Sequence, residues 1–272
     1  MREPLASVDL AAAIRAHALR MVTRAKASHV AGALSMADLL AVLYSGVLRH
    51  RPDQPDWPDR DRFLLSKGHS CTAVYATLAL RGFFPESELE TYGQDGSRLM
   101  AHISHHVPGV EFSTGSLGHG LPFGLGKALA AQRDRKSWRV FTLLSDGELD
   151  EGSNWEAILL APQHRLDNLV ALIDYNKIQS LGSVAEVADL HPLADKFRAF
   201  RWAVREVDGH DHNAIRSALE TVPWEPGRPS CLIAHTTKGR GVDFMQDQLA
   251  WHYKSPNPAQ LAEALRQLGC PD

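Results

Sequence analysis

The chain has 272 residues, of which 44% are hydrophobic and 22% charged, an ordinary globular balance that excludes a mainly disordered chain. Its formal charge is −3, from 29 basic against 32 acidic residues, so no basic excess points to nucleic acid or to an anionic membrane. Three cysteines are too few and too scattered for a disulfide scaffold or a zinc ribbon, whereas 14 histidines are many and invite a search for a catalytic cluster.

Leu10, Ile14, Met21 and Val22 recur at helical spacing, so the first segment reads as an amphipathic helix and not as a signal peptide. No apolar run approaches the roughly 18 residues needed to span a bilayer, and a reduced cytoplasm is the expected compartment. Ser35 reads as the N-cap, with Asp38 three residues on, of a helix running to about Leu48. The stretch 49–62 holds three prolines and four aspartates and reads as a surface loop. A short strand is expected over 62–66, then a helix over 71–81 that Gly82 stops. Beyond it, strands over 140–145, 168–173, 202–207 and 230–234 alternate with helices over 154–164, 193–200, 211–222 and 258–268. Strands that are continuous apolar runs have both faces covered. The expectation is a doubly wound, mainly parallel α/β sheet with helices on both faces, forming a single domain over 1–272 because no linker divides the chain.

In such a sheet, ligands bind beyond the carboxyl ends of the strands. Two strand ends carry suitable chemistry: Asp146-Gly147 after one and Asn176 after the next, with 28 residues between Gly147 and Asn176. That separation accommodates one helical crossover, which sets a carboxylate and an amide oxygen side by side. A hard cation such as Mg²⁺, often shared with substrate phosphates, suits that pair, and Gly147 lets a diphosphate approach the backbone. Asp-Gly and Asn are also ordinary turn formers. The run from Gly118 to Gly126 has the look of a dinucleotide fingerprint, but no strand precedes it and Ser137-Trp138 stand where an acidic residue is needed. Gly124 and Gly126 are better read as permitting close helix packing.

Four segments, in order, resemble the N-terminal, diphosphate-binding domain of the transketolases. Arg60-Asp-Arg-Phe-Leu-Leu-Ser-Lys-Gly-His69 is similar to the family's strand and histidine turn. Pro108-Gly-Val-Glu-Phe-Ser-Thr-Gly-Ser-Leu-Gly-His-Gly120 is similar to its glycine-rich cofactor segment. Asp146-Gly-Glu-Leu-Asp-Glu-Gly-Ser-Asn-Trp-Glu156 resembles its metal loop, and Thr237-Lys-Gly-Arg-Gly with Trp251-His252 its late loop. Ser145 stands where the metal motif has its first glycine, Ser116 and His119 where proline and glutamine are usual, and Val30-Ala31 where Pro-Gly is common.

The resemblance implies thiamine diphosphate as cofactor, with Mg²⁺ (or Ca²⁺ or Mn²⁺) held by Asp146, the side chain of Asn176 and the backbone oxygen of Ile178. It implies cofactor contacts at Leu117, Gly118, Gly147 and Lys238. It also places Glu151 and Glu156 in a network at the interface between subunits, beside the cofactor, although both could merely complement a helix dipole. His29, His69, His102 and His252 would line the substrate channel, hydrogen-bond ketose hydroxyls and move protons. Lys67 is a further electrostatic candidate. His119 could reach the cofactor or cap the next helix. His105 and His106 read as loop residues and not as zinc ligands. His17, His50, His164, His191, His210, His212 and His235 read as surface or structural.

In the family, a second domain supplies a glutamate to the aminopyrimidine, and nothing here replaces it. The expectation is therefore one subunit that works with a separately encoded pyrimidine-domain partner, in a heterotetramer, on sugars or sugar phosphates. Together they would transfer a two-carbon ketol unit from a ketose to an aldose. The alternatives are a related thiamine-dependent synthase that decarboxylates its donor, and a non-catalytic cofactor-binding subunit.

Overall fold

The computed structural model describes residues 5–270. Helix α1 (Ser7–Ala25) buries Leu10, Ile14, Met21 and Val22 on one face, as their spacing requires, and ends at Lys26 in the left-handed region. The helix expected to start at Ser35 is instead two short helices, α2 (Val30–Ser35) and α3 (Ala37–Val42), followed by a π turn over Leu43–Val47. Ser35 cannot cap because its hydroxyl is buried and donates to Asp174 Oδ2 at 2.6 Å. Asp38 cannot complete a capping box because its carboxylate turns inward onto Arg15.

Strand β1 (Arg62–Leu65) leads through a tight turn, Gly68–Ser70, into α4 (Cys71–Leu80). Helix α5 (Gly120–Arg133) precedes β2 (Val140–Ser145), and α6 (Gly152–Gln163) connects it to β3 (Leu169–Tyr175). Then come α7 (Val184–Val187), α8 (Leu193–Ala199), β4 (Ala203–Asp208), α9 (His212–Leu219), β5 (Ser230–His235) and α10 (Pro258–Gln267). All five described strands are parallel, in the order β1-β2-β3-β5-β4.

Helix α3, the π turn after it, α4 and α9 cover one face through Leu40, Tyr44, Tyr75 and Ile215 against Phe63, Phe141 and Leu143, with α1 packed on α3 and α4. The opposite face packs α5, α6 and α8, through Leu121, Ile158 and Phe197, on Leu144 and Ile173. Burial on both faces explains the mostly apolar, non-alternating sequences of β1, β2, β3 and β5. Strand β4 departs from that pattern, with Arg205 and Glu206 exposed. A smaller cluster, Val30, Leu34, Val242, Met245 and Trp251, anchors the late loop onto α2. Gly124 does allow close packing, because a Cβ there would sit 2.5 Å from Thr142 Oγ1, whereas a Cβ on Gly126 would meet nothing within 4 Å. Register sets Ser145 opposite Asp174, so the residues after β2 and β3 emerge side by side at the carboxyl edge. Among the described residues no helix is long and apolar enough to cross a membrane, and the three cysteines are unpaired.

Candidate active site

The carboxyl ends of β1, β2, β3 and β5 deliver Lys67, Asp146, Asn176 and Lys238 to one cavity of about 470 Å³. Asp146 is buried; its Oδ1 accepts the N–H of Gly147 at 2.7 Å and its Oδ2 that of Lys177 at 2.5 Å. Burial and the charge of Asp174 nevertheless push its carboxyl up to about 6. Asn176 donates through Nδ2 to Asp174 Oδ2 at 3.2 Å, while its Oδ1 accepts the N–H of Ile178 at 3.2 Å. The Ile178 carbonyl accepts Lys238 Nζ at 2.7 Å. Gly147 faces the same cavity, and a Cβ there would lie 2.8 Å from Gln179 Cγ. Among the described residues no three His, Cys, Asp or Glu side chains form a metal-holding group.

The four histidines singled out from the sequence come together above this carboxyl edge. The His29 ring lies 5.0 Å from those of His69 and His252 and 6.3 Å from that of His102, centroid to centroid. The left-handed backbone of His29 (φ 70) and its N–H bond to the His252 carbonyl at 2.9 Å hold the pair together. Its Nδ1 meets Ser28 Oγ at 2.8 Å, and Nδ1 of His252 meets Lys238 Nζ at 3.1 Å. Burial is the main cause that depresses three of these rings, helped by neighbouring positive groups: His29 is lowered, His69 lies well below the usual imidazole range, and His252 falls to about 3. These three are neutral imidazoles at pH 7. Burial also brings Lys238 down to about 8.

The glycine-rich segment closes another wall. Leu117 lines the cavity, and Gly118 sits just behind it with a positive φ of 82°, its N–H donated to Glu148 Oε1 at 2.9 Å. Glu151 lines the cavity as an exposed residue at the start of α6; Glu156 is exposed on α6 and is not part of the cavity wall. His119 neither reaches the cavity nor caps α5, because its ring is turned to the carbonyls of Ser116 and Leu117. Lys67 is spoken for: 1% exposed, it is ion-paired with Asp174.

Three contributors escaped the sequence reading. Glu148 is fully buried and also accepts Ser66 Oγ at 2.5 Å, so one carboxylate joins the end of β1 to the glycine segment. Asp174 collects Lys67, Ser35, Asn176 and Thr236; its signal was a lone acid in an apolar strand, which must be paired when buried. Tyr253 stands at the cavity mouth, its ring 4.8 Å from that of His252.

Comparison with known proteins fits this geometry. Residues 6–271 match the family described as transketolase, thiamine diphosphate binding domain. A relative from Phocaeicola vulgatus, named as one of the subunits of an apulose-4-phosphate transketolase, is 41% identical over 254 residues, covering 93% of this chain and 90% of its own length. The 6-deoxy-6-sulfo-D-fructose transketolase subunit SqwG of a Clostridium species is 42% identical over 240 residues, covering 88% of this chain and 87% of that one. Among solved structures, transketolases from Leishmania mexicana and Campylobacter jejuni superpose with a TM-score of 0.92 each at 30% identity. They cover 99% and 100% of this chain, which spans 42% and 44% of theirs. With strand ends, glycine segment and histidines gathered on one cavity, the chain belongs to the transketolase family, as its thiamine diphosphate-binding domain.

Proposed function

We propose that this chain is the N-terminal subunit of a two-chain transketolase. In this reading it is a single diphosphate-type domain over 1–272 that binds the Mg-diphosphate end of thiamine diphosphate and lines the sugar channel. A separate pyrimidine-domain subunit completes the site, in a heterotetramer located in the cytoplasm. The observation that carries the reading is that Asp146, Asn176 and the Ile178 carbonyl share one cavity with His29, His69, His102 and His252. The relatives named as single subunits of apulose-4-phosphate transketolases match it over nearly their whole length, which supports a separate partner.

The residues fit the implied group. Asp146 is a buried carboxylate pushed up by burial and a neighbouring acid, so a divalent cation would supply the positive charge it lacks. Asn176 Oδ1 and the Ile178 carbonyl each have a second lone pair to offer beside the N–H or ammonium they already accept. Two side chains and one carbonyl would leave about half of the six positions of a Mg²⁺ ion to phosphate oxygens and water. Such a set contains one carboxylate only, so it does not register as a cluster of acids and histidines. Lys238 adds a cation on the same side for a diphosphate. When bound, the cofactor supplies the carbanion chemistry itself.

The chain's own groups then bind and orient the sugar. Neutral imidazoles at His29, His69 and His252 donate one hydrogen bond and accept another, which suits ketose hydroxyls and lets a proton pass between ring and substrate oxygen without a resting charge. The donor and acceptor are sugars or sugar phosphates; the relatives' names point to specialised sugars such as apulose 4-phosphate and sulfofructose as first substrates to assay. Calorimetry of thiamine diphosphate binding with and without Mg²⁺ tests the cofactor half. Binding should require Mg²⁺ and be lost in Asp146→Ala; Mg²⁺-dependent binding retained in that variant would overturn the assignment.

A further inference from the structure

Lys238 reaches the cavity from a loop, Thr236 to Gly239, whose N–H groups are held at three points, while the Lys238 carbonyl accepts the N–H of Asp247 at 2.9 Å. Thr236 N–H donates to the Tyr175 carbonyl at 3.1 Å and Gly239 N–H to the Ala31 carbonyl at 3.0 Å. Between them, Thr237 N–H donates to Nε2 of His210 at 2.9 Å. The outer two contacts are backbone to backbone and survive any side-chain change. The middle one, adjacent to Lys238, depends on one imidazole.

His210 lies in the turn between β4 and α9, its side chain 9% exposed. An imidazole nitrogen accepts a hydrogen bond only when it carries no proton, so Nδ1 must hold the ring proton. Nδ1 is 2.6 Å from Asp38 Oδ2, the acceptor that tautomer needs. The Asp38 carboxylate is itself fixed: both oxygens meet the Arg15 guanidinium, at 3.1 and 2.5 Å, and Oδ1 meets His212 Nε2 at 3.0 Å. Arg15 is tied further to the Leu34 carbonyl at 3.1 Å, and His212 Nδ1 to Ser7 Oγ at 2.8 Å. The ring is therefore oriented from behind by a cluster drawn from α1, α3 and α9, none of whose charged side chains lines the cavity.

We infer that His210 is a positioning residue for Lys238. Asp38 fixes the tautomer and plane of the His210 ring, Nε2 fixes Thr237, and the next residue then extends its ammonium to the Ile178 carbonyl at 2.7 Å and to Nδ1 of His252 at 3.1 Å. One chain of contacts thus links a buried ion cluster to a diphosphate cation and to a channel histidine. The inference rests on the reading of Lys238 as facing the cofactor's diphosphate.

The test compares His210→Leu, which fills the space but accepts no hydrogen bond, with His210→Gln, whose amide can accept from Thr237 and donate to Asp38. Hydrogen exchange at the Thr237 amide and calorimetric binding of Mg²⁺-pyrophosphate are read on the full chain. His210→Leu should speed exchange and weaken pyrophosphate each by about tenfold, the effect of one lost hydrogen bond. His210→Gln should restore most of both, and His210→Leu should add no further loss of affinity in a Lys238→Met background. In the unmodified chain, nitrogen NMR should show the His210 proton on Nδ1 and a coupling across the hydrogen bond from Thr237 to Nε2, a result that does not depend on any variant folding. A proton on Nε2, unchanged Thr237 exchange in His210→Leu, equal losses in the Leu and Gln variants, or losses additive with Lys238→Met would each overturn the inference. If the wild type itself fails to bind Mg²⁺-pyrophosphate, the cofactor reading of the site fails and the inference falls with it. A wild type that binds, beside a His210→Leu that binds equally well, removes the relay alone.

Discussion

The Asp146 carboxylate reaches from the end of β2 to accept the backbone N–H of Lys177, just past the end of β3, at 2.5 Å. This bond ties the two strand ends proposed to hold the Mg-diphosphate, and Lys177 adopts a left-handed backbone there (φ 71). Asp146→Ala removes both a candidate metal ligand and this tie. Its expected effect is a loss of Mg²⁺-dependent diphosphate affinity of about 100-fold, in line with a lost charged hydrogen bond and ligand. Titration calorimetry with pyrophosphate at fixed Mg²⁺ measures it, and a loss under about threefold would count against the role.

Gly118 is a position where only glycine fits. Its φ of 82° disfavours any side chain, and a Cβ would stand 2.5 Å from Ser153 Oγ and 2.7 Å from Glu151 Cβ. Gly118→Ala should cost roughly 1–3 kcal/mol in stability. Urea unfolding would show a lower midpoint at an unchanged slope; an unchanged midpoint means that the glycine-rich segment is not held as described.

Asp38 supplies a pH signature. Burial opposes its ionisation, but hydrogen bonds from His210 and His212 and the nearby Arg15 charge outweigh burial and hold the carboxyl well below its ordinary value. A depressed folded pKa means that the unfolded chain takes up the proton first, so the stabilisation is complete above the unfolded value of about 4 and is lost as pH falls below it. Asp38→Asn leaves Arg15 buried without its partner and should lower stability at pH 7 by about 3–5 kcal/mol. The gap between wild type and variant should narrow between about pH 4 and 2 in chemical denaturation, and a constant gap there would refute the pairing.

Substitution of the proposed channel histidines should separate binding from turnover. His252→Ala, in the complex with the pyrimidine-domain subunit, should lower kcat for ketol transfer by about 100-fold or more while cofactor affinity stays near wild type. A variant that loses cofactor and keeps its rate at saturating cofactor would move His252 from the sugar channel to the cofactor site.

The parallel sheet was legible because β1, β2, β3 and β5 are buried on both faces and so carry mostly apolar, non-alternating runs. Asp146 and Asn176 were legible for the same reason, each being the polar residue that follows such a strand. The histidine tetrad emerged only through resemblance to a family, since the loops that gather its members are far apart in sequence. What stayed hidden depends on partners brought in by the fold. Lys67 and Asp174 pair across 107 positions and His210 and Asp38 across 172, and neither spacing leaves a local pattern. Ser35 and Asp38 looked like a capping box because local sequence offered no better partner; tertiary structure offered Asp174 and Arg15. His210 and His212, read as surface or structural, are structural: His210 Nε2 accepts the Thr237 N–H, and His212 stands behind it on Asp38.

In the proposed reading, this chain holds half of a two-chain catalytic site. The direct measurement is a two-carbon transfer assay with thiamine diphosphate and Mg²⁺, run on the purified chain, on the purified pyrimidine-domain partner, and on the two mixed at increasing ratio. The expected result is no transfer by either alone and activity that saturates as the partner is added. Ketol transfer by this chain alone, at the rate of the mixture, would contradict it.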